Sequence, residues 1–155
     1  MKKLFYSALL CFSLFTLNSE AQVKSPKTNI AEQPLWGPTG YRHVDYYFLP
    51  DLQAYYSVAD KKFVYLKNGK WEFSPQLPES QQNYDLYSGY KVVINRPNPY
   101  TNLRAHVKRY ANFLGQKNKQ TAIKDSDNEK YFVVEGHPKS KELEGSAIGF
   151  SPKVK

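Results

Sequence analysis

Residues 46–73 read YYFLPDLQAYYSVADKKFVYLKNGKWEF, and the phase of this stretch decides the fold. Its clearest signal is Lys67-Asn68-Gly69-Lys70, because Asn-Gly tolerates the two positive φ angles of a type I′ turn and is flanked by alternating apolar residues. A two-residue loop there sets Lys67 opposite Lys70, Leu66 opposite Trp71, Tyr65 opposite Glu72 and Val64 opposite Phe73. Side chains alternate across a sheet. Val64, Leu66, Trp71 and Phe73 are therefore expected on a core face, and Phe63, Tyr65, Lys67, Lys70 and Glu72 on the other.

Working outward, Gln53 to Val58 alternates in the same way, which places Ala54, Tyr56 and Val58 toward the core and Gln53, Tyr55 and Ser57 opposite. A turn at Ala59 to Lys61 joins this strand to the hairpin. Tyr46 to Phe48 forms a further strand, closed by Leu49-Pro50-Asp51-Leu52, where proline presets φ and aspartate bonds the backbone ahead. The result is a meander of four short antiparallel strands. It needs other elements to cover its apolar face.

Those elements lie downstream. Lys91 to Asn95, KVVIN, is a β-branched strand expected at a central or well covered position, and it stops at Arg96-Pro97-Asn98-Pro99. Between Asn102 and Leu114, Leu103, Val107, Tyr110, Ala111 and Leu114 recur at helical spacing, with Gly115 as the C-terminal stop. The opposite helix face carries Arg104, Lys108 and Arg109. Ser74 to Asn83 and Gln116 to Glu129 read as loops, and Lys130 to Glu135, KYFVVE, as a late strand. The fold class is α+β, a small antiparallel β-sheet meander with one packed amphipathic helix. Its boundaries are 1–21 signal peptide, 22–40 flexible leader and turn into the domain, 41–138 β-rich domain, and 139–155 frayed tail.

The 155 residues carry 41% hydrophobic and 15% aromatic side chains, a balance that fits one folded domain. Thirteen Tyr and nine Phe against one Met favour strands over a helical bundle. Lys2 and Lys3 precede an apolar run from Leu4 to Leu17, and Ser19-Glu20-Ala21 supplies a cleavage site, so export with cleavage after Ala21 is expected. The run is too short to span a bilayer, and no transmembrane segment is expected in the mature chain. Cys11, the one cysteine, falls inside the run, so the mature domain stands on packing without disulfides. Setting aside Lys2, Lys3 and Glu20 lowers the net charge from +8 to +7. That balance permits weak polyanion binding. In an exported protein it does not point to nucleic acid.

WGPTGY (36–41), YYFLPDLQAYY (46–56), NGKW (68–71), LP (77–78), YDLYSGYKVVIN (84–95), PY (99–100) and YFVVEGHP (131–138) together resemble an uncharacterised family of small exported bacterial proteins. The likeness covers most of the mature chain. It implies a periplasmic or secreted location and a shared fold, and no chemistry. Ser57 departs from the family pattern, which has Asp after the second tyrosine pair.

Chemical motifs are sparse. His43, His106 and His137 lie in different elements and none has metal-ligand spacing with another ligating residue, so no metal, cofactor or catalytic residue is assigned. His106 lies beside the apolar helix stripe and is expected to be structural. Asp45, Asp51, Asp60 and Asp85 could serve a small envelope hydrolase, together with histidine, only if folding paired two of them across a cleft. The leading expectation is a noncatalytic envelope module that binds a partner protein or glycan through a tyrosine-rich surface. Its candidate ligand-binding residues are Tyr55, Phe63, Tyr65, Lys67 and Lys70. The competing expectation is that the Trp36 segment, the tyrosine connector at 84–90 or the late strand covers this face and makes a second small core.

Overall fold

A computed structural model describes residues 27–147; the segment expected to be a signal peptide, with Cys11, lies outside the described residues. Five strands form one antiparallel sheet: β1 Tyr46–Leu49, β2 Ala54–Ser57, β3 Lys62–Lys67, β4 Lys70–Ser74 and β5 Val92–Ile94. Their spatial order is β4-β3-β2-β1-β5, a four-strand meander with β5 added beside β1. Helix α1, Leu103–Arg109, packs on one face, which makes the fold α+β.

The hairpin register is the one dictated by the Asn-Gly loop. Lys67 pairs with Lys70, Leu66 with Trp71, Tyr65 with Glu72 and Val64 with Phe73. Asn68 and Gly69 take φ of 51° and 73°, the left-handed pair a type I′ turn requires.

One strand earlier the phase differs from expectation. Ser57 pairs with Lys62, so the connection is the four residues 58–61 and not the three of Ala59 to Lys61. One more loop residue couples even positions to odd ones and flips one strand relative to the other. Tyr55 therefore shares a face with Val64, while Tyr56 pairs with Phe63. The single-face grouping of Tyr55 with Phe63 and Tyr65 is corrected on this ground. Lys61 in the left-handed region (φ 52°) belongs to this four-residue connection.

Both faces of the sheet are covered. Beneath α1, Phe48, Tyr55, Val64 and Ile94 are buried against Tyr100, Leu103, Val107 and Tyr110. On the reverse, Tyr47, Leu49, Ala54, Tyr56, Phe63 and Tyr65 are buried under Trp36, Leu77, Tyr84 and Leu86. The Trp36 ring stacks on Phe63 at 6.3 Å and meets Tyr56 edge-on at 4.9 Å. The second small core thus exists, built by the Trp36 segment and the tyrosine connector. A third cluster joins Ile123, Tyr131 and Val134 to Ile30 and Leu35.

Other expectations are also revised. The helix is shorter than 102–114: after Arg109 the chain tightens into a 3-10 turn at Ala111–Phe113 before Gly115 (φ 68°) stops it. Being short, α1 leaves Leu66 49% and Phe73 44% exposed, although they share the face of buried Val64. β5 lies at an edge of the sheet, so of the two expected positions, central or well covered, the central one is excluded. Lys130 to Glu135 is not a strand: the Asn128 side chain accepts the Lys130 N–H and starts a 3-10 turn at Glu129–Tyr131. The leader is anchored from Thr28 onward, since the Asn29 carboxamide bridges the Val44 backbone at 2.7 and 2.9 Å and Gln33 is buried under the Tyr47 hydroxyl. At the other end, Ser140–Ala147 is helical (α2).

Candidate functional site

The structure distributes the five sequence-predicted site residues over three environments. Tyr55 is fully buried beneath α1. Phe63 and Tyr65 are buried on the reverse face, and Lys67 and Lys70 are exposed at the hairpin end. They do not form one open aromatic surface.

Tyr65 and Lys67 nevertheless meet at a groove of 1010 Å³ at the end of the sheet where the β1–β2 turn, the β3–β4 hairpin and loop 74–82 converge. Its apolar lining combines the buried Leu52, Tyr65 and Leu77 with Leu66, Pro78 and Leu103, and its polar lining is rich in neutral amides, Gln53, Asn68, Gln76, Gln81 and Gln82, beside the charged Asp51, Lys67 and Glu79. The Tyr65 hydroxyl donates to Glu72 at 3.1 Å, and Lys67 pairs with the same carboxylate at 3.5 Å, so this tyrosine is held in one pose. The Gln81 Oε1 atom is buried and has no hydrogen-bond partner among the described residues. A buried acceptor left unmet costs about 1–3 kcal/mol. Phe63 lines an adjoining 310 Å³ cavity that shares Gln76, Leu77 and Gln82 with the groove.

Asp51 closes one side of the groove and is committed to structure. Its carboxylate accepts the Tyr84 hydroxyl at 2.7 Å and the Gly115 N–H at 2.7 Å, with Lys117 at 3.6 Å. Burial pushes this carboxyl up, but those three donors outweigh it and hold it below the ordinary carboxylate range. It is an anchor between the β1–β2 turn and the end of the helical segment, with no proton to give.

A second cleft of 510 Å³ holds His43, Asp45, Ser57, Asp60 and Arg96. His43 Nε2 lies 2.9 Å from Asp45 Oδ1. Ser57 Oγ donates to Asp60 Oδ2 at 2.7 Å and accepts the Asp60 N–H at 3.3 Å, which spends the hydroxyl on the β2–β3 turn. His43 Nδ1 is buried without a partner among the described residues, so no hydroxyl is aligned on it as a nucleophile.

In the interior, Arg96 reaches His106 Nε2 at 2.5 Å, and His106 Nδ1 stands 2.7 Å from the Tyr55 hydroxyl. His106 is buried, so its structural role is as expected from the helix stripe. Among the described residues no group of three His, Cys, Asp or Glu side chains could hold a metal ion. No helix of the described residues is long and apolar enough to cross a membrane.

The class these features define is a small α+β domain with a three-layer core and an amide-lined groove at one end of its sheet. In comparisons with protein-family models, curated proteins and solved structures, nothing matches this chain. The groove was hidden from sequence reasoning because its walls come from four separated segments, around 51–53, 65–68, 74–82 and Leu103. The run SPQLPESQQN at 74–83 was the one available signal, a loop with an unusual supply of amides.

Proposed function

We propose that this is a noncatalytic exported module of the cell envelope that binds a glycan in the groove bounded by Tyr65, Gln53, Gln76 and Gln81. The observation that carries this reading is the groove's chemistry: neutral amides and hydroxyls around an apolar floor containing tyrosine. A pyranose ring has an apolar face and a rim of hydroxyls that donate and accept together. Carboxamides match that rim, since each offers two donors and an acceptor. The Gln81 Oε1 atom supplies an acceptor that the protein leaves unused. Placement at the envelope follows from the signal-like segment before Gln22 and from the resemblance to exported proteins.

Calorimetric titration with oligomers of N-acetylglucosamine tests the reading. Binding that weakens about tenfold in Gln81→Ala, with thermal stability kept or raised, is the expected result, the loss of one or two hydrogen bonds. Absence of binding by these and by other neutral oligosaccharides contradicts it. N-terminal sequencing of protein recovered from envelope or medium, expected to begin at Gln22, tests the export.

A second reading draws on the 2.9 Å contact of His43 with Asp45 in a cleft that also holds Asp60. That pairing fits a small envelope hydrolase acting through histidine and carboxylates. Loss of a measurable hydrolytic activity in both His43→Gln and Asp45→Asn supports it. The commitment of Ser57 to Asp60 ranks it second. The exposed Arg104, Lys108 and Arg109 on α1 fit a weak polyanion contact besides, and retention on heparin should then fall steeply with salt.

A further inference from the structure

The two edges of the sheet are treated differently. Beside β5, the Gln120 side chain bonds the Lys91 backbone as a neighbouring strand would: Lys91 N donates to Oε1 at 2.8 Å and Gln120 Nε2 donates to the Lys91 carbonyl at 3.0 Å. That edge is guarded. At the other end of the order, β4 pairs with β3 alone. An edge strand with free N–H and C=O groups is a template for another strand unless it is short, bulged, covered, charged or interrupted by proline; Lys70–Ser74 contains no proline, and its two charges, Lys70 and Glu72, are of opposite sign.

We propose that β4 pairs antiparallel with β4 of a second copy of this chain, forming a two-fold dimer whose register is centred on Trp71. The parity of the hairpin limits which residues can pair. A two-residue loop is closed by a hydrogen-bonded pair, here Lys67 and Lys70, so Lys70, Glu72 and Ser74 spend their backbone groups on β3. Trp71 and Phe73 direct theirs outward. A two-fold axis at Trp71 makes Trp71 bond its own counterpart and sets Phe73 beside the second copy's Gly69 at the hairpin loop. It also sets Lys70 opposite the second copy's Glu72, twice. An axis at Glu72 also satisfies the backbone, but it opposes two glutamates. Charge therefore selects the first register, because opposite charges across an antiparallel pair stabilise it and like charges do the reverse.

The side chains support the same choice. Lys70 is exposed and makes no ion pair among the described residues, so it is free to meet a carboxylate. On the helix-side face, the half-buried Trp71 and the 44% exposed Phe73 lie along the edge, where a second sheet would cover them. Phe73 would pass over the second copy's Gly69, whose backbone has open space on its side-chain side. The dimer uses the edge and not the amide-lined groove, so its failure would leave the glycan reading standing.

Sedimentation equilibrium of the purified protein across the micromolar range tests the dimer with three variants: Lys70→Glu, Glu72→Lys, and both together. The parent should dimerise, each single substitution should raise the dissociation constant on the order of tenfold, and the double substitution should restore it. Glu72→Lys also removes the Tyr65 and Lys67 contacts and lowers monomer stability. Lys70→Glu instead relieves the Lys67–Lys70 opposition, so its monomer stays folded and its effect on the dimer reads cleanly. A parent that is monomeric at every concentration overturns the proposal. So does a dimer indifferent to Lys70→Glu, or one that the double substitution does not restore.

Discussion

The Tyr55 hydroxyl on β2 and His106 Nδ1 on α1 lie 2.7 Å apart, joining the sheet to the helix across a fully buried interface. Arg96 fixes the direction of this bond. A guanidinium only donates, so His106 Nε2 must accept, and the neutral ring then carries its proton on Nδ1 and donates it to Tyr55. Burial, with the Arg96 and Arg109 charges behind it, lowers the His106 pKa from its ordinary 6.5. The sign of the consequence follows. Above that ordinary value both folded and unfolded chains are neutral at this position. As pH falls from there toward the lowered value, the unfolded chain takes a proton the folded chain refuses, and stability drops. Urea midpoints should fall between pH 7.5 and 5, and His106→Gln should flatten that fall. An equal slope in the variant would contradict the assignment.

Tyr55 and Tyr65 should respond differently to truncation than a shared binding face would require. Tyr55→Ser removes a ring packed on Phe48 at 5.0 Å beneath α1 and should cost about 3–5 kcal/mol. Tyr55→Phe keeps the ring and leaves the His106 N–H without its acceptor, a loss of about 1–3 kcal/mol. Phe73→Ser, on the same sheet face but beyond the helix, should stay within about 0.5 kcal/mol when measured on the monomer. Chemical denaturation of the three variants orders them, and a neutral Tyr55→Ser would refute the placement of α1.

Lys91 is another buried titratable group with a definite pH signature. Its Nζ donates to the Tyr87 carbonyl at 3.1 Å, and burial lowers its pKa to about 8, with Asp85 opposing the shift and Lys117 adding to it. Between about 8 and the ordinary 10.5 the unfolded chain holds a proton that the folded chain has shed. Stability contributed by this site therefore rises with pH across that window. Lys91→Met should remove the rise and be neutral or stabilising at pH 7, because it spares a buried ammonium its desolvation. A melting series from pH 7 to 9.5 reads both effects. Loss of stability in Lys91→Met at pH 7 would show that the Tyr87 bond outweighs the burial.

Much of the sheet was legible in the residues, because local chemistry specifies it. Asn68-Gly69 set the hairpin register outright, and the aromatic Trp36 and the 84–90 connector cover the aromatic face, as their composition suggests. What failed were counts and distances that no local pattern fixes. The loop after Ser57 is one residue longer than its turn signal, and that alone exchanged the partners of Tyr55. KYFVVE has strand composition, yet Asn128 caps a 3-10 turn there while Gln120 occupies the edge of β5. The groove draws on residues from position 51 to 103, so only the folded chain brings Gln53, Asn68 and Gln81 together.

The glycan reading is tested most directly by following backbone and carboxamide resonances of the ¹⁵N-labelled protein during titration with tri-N-acetylglucosamine. The account predicts saturable shifts concentrated at Gln53, Asn68, Gln76 and Gln81, with His43 and Asp45 silent. Shifts centred on the His43 cleft, or none anywhere up to millimolar sugar, would contradict it.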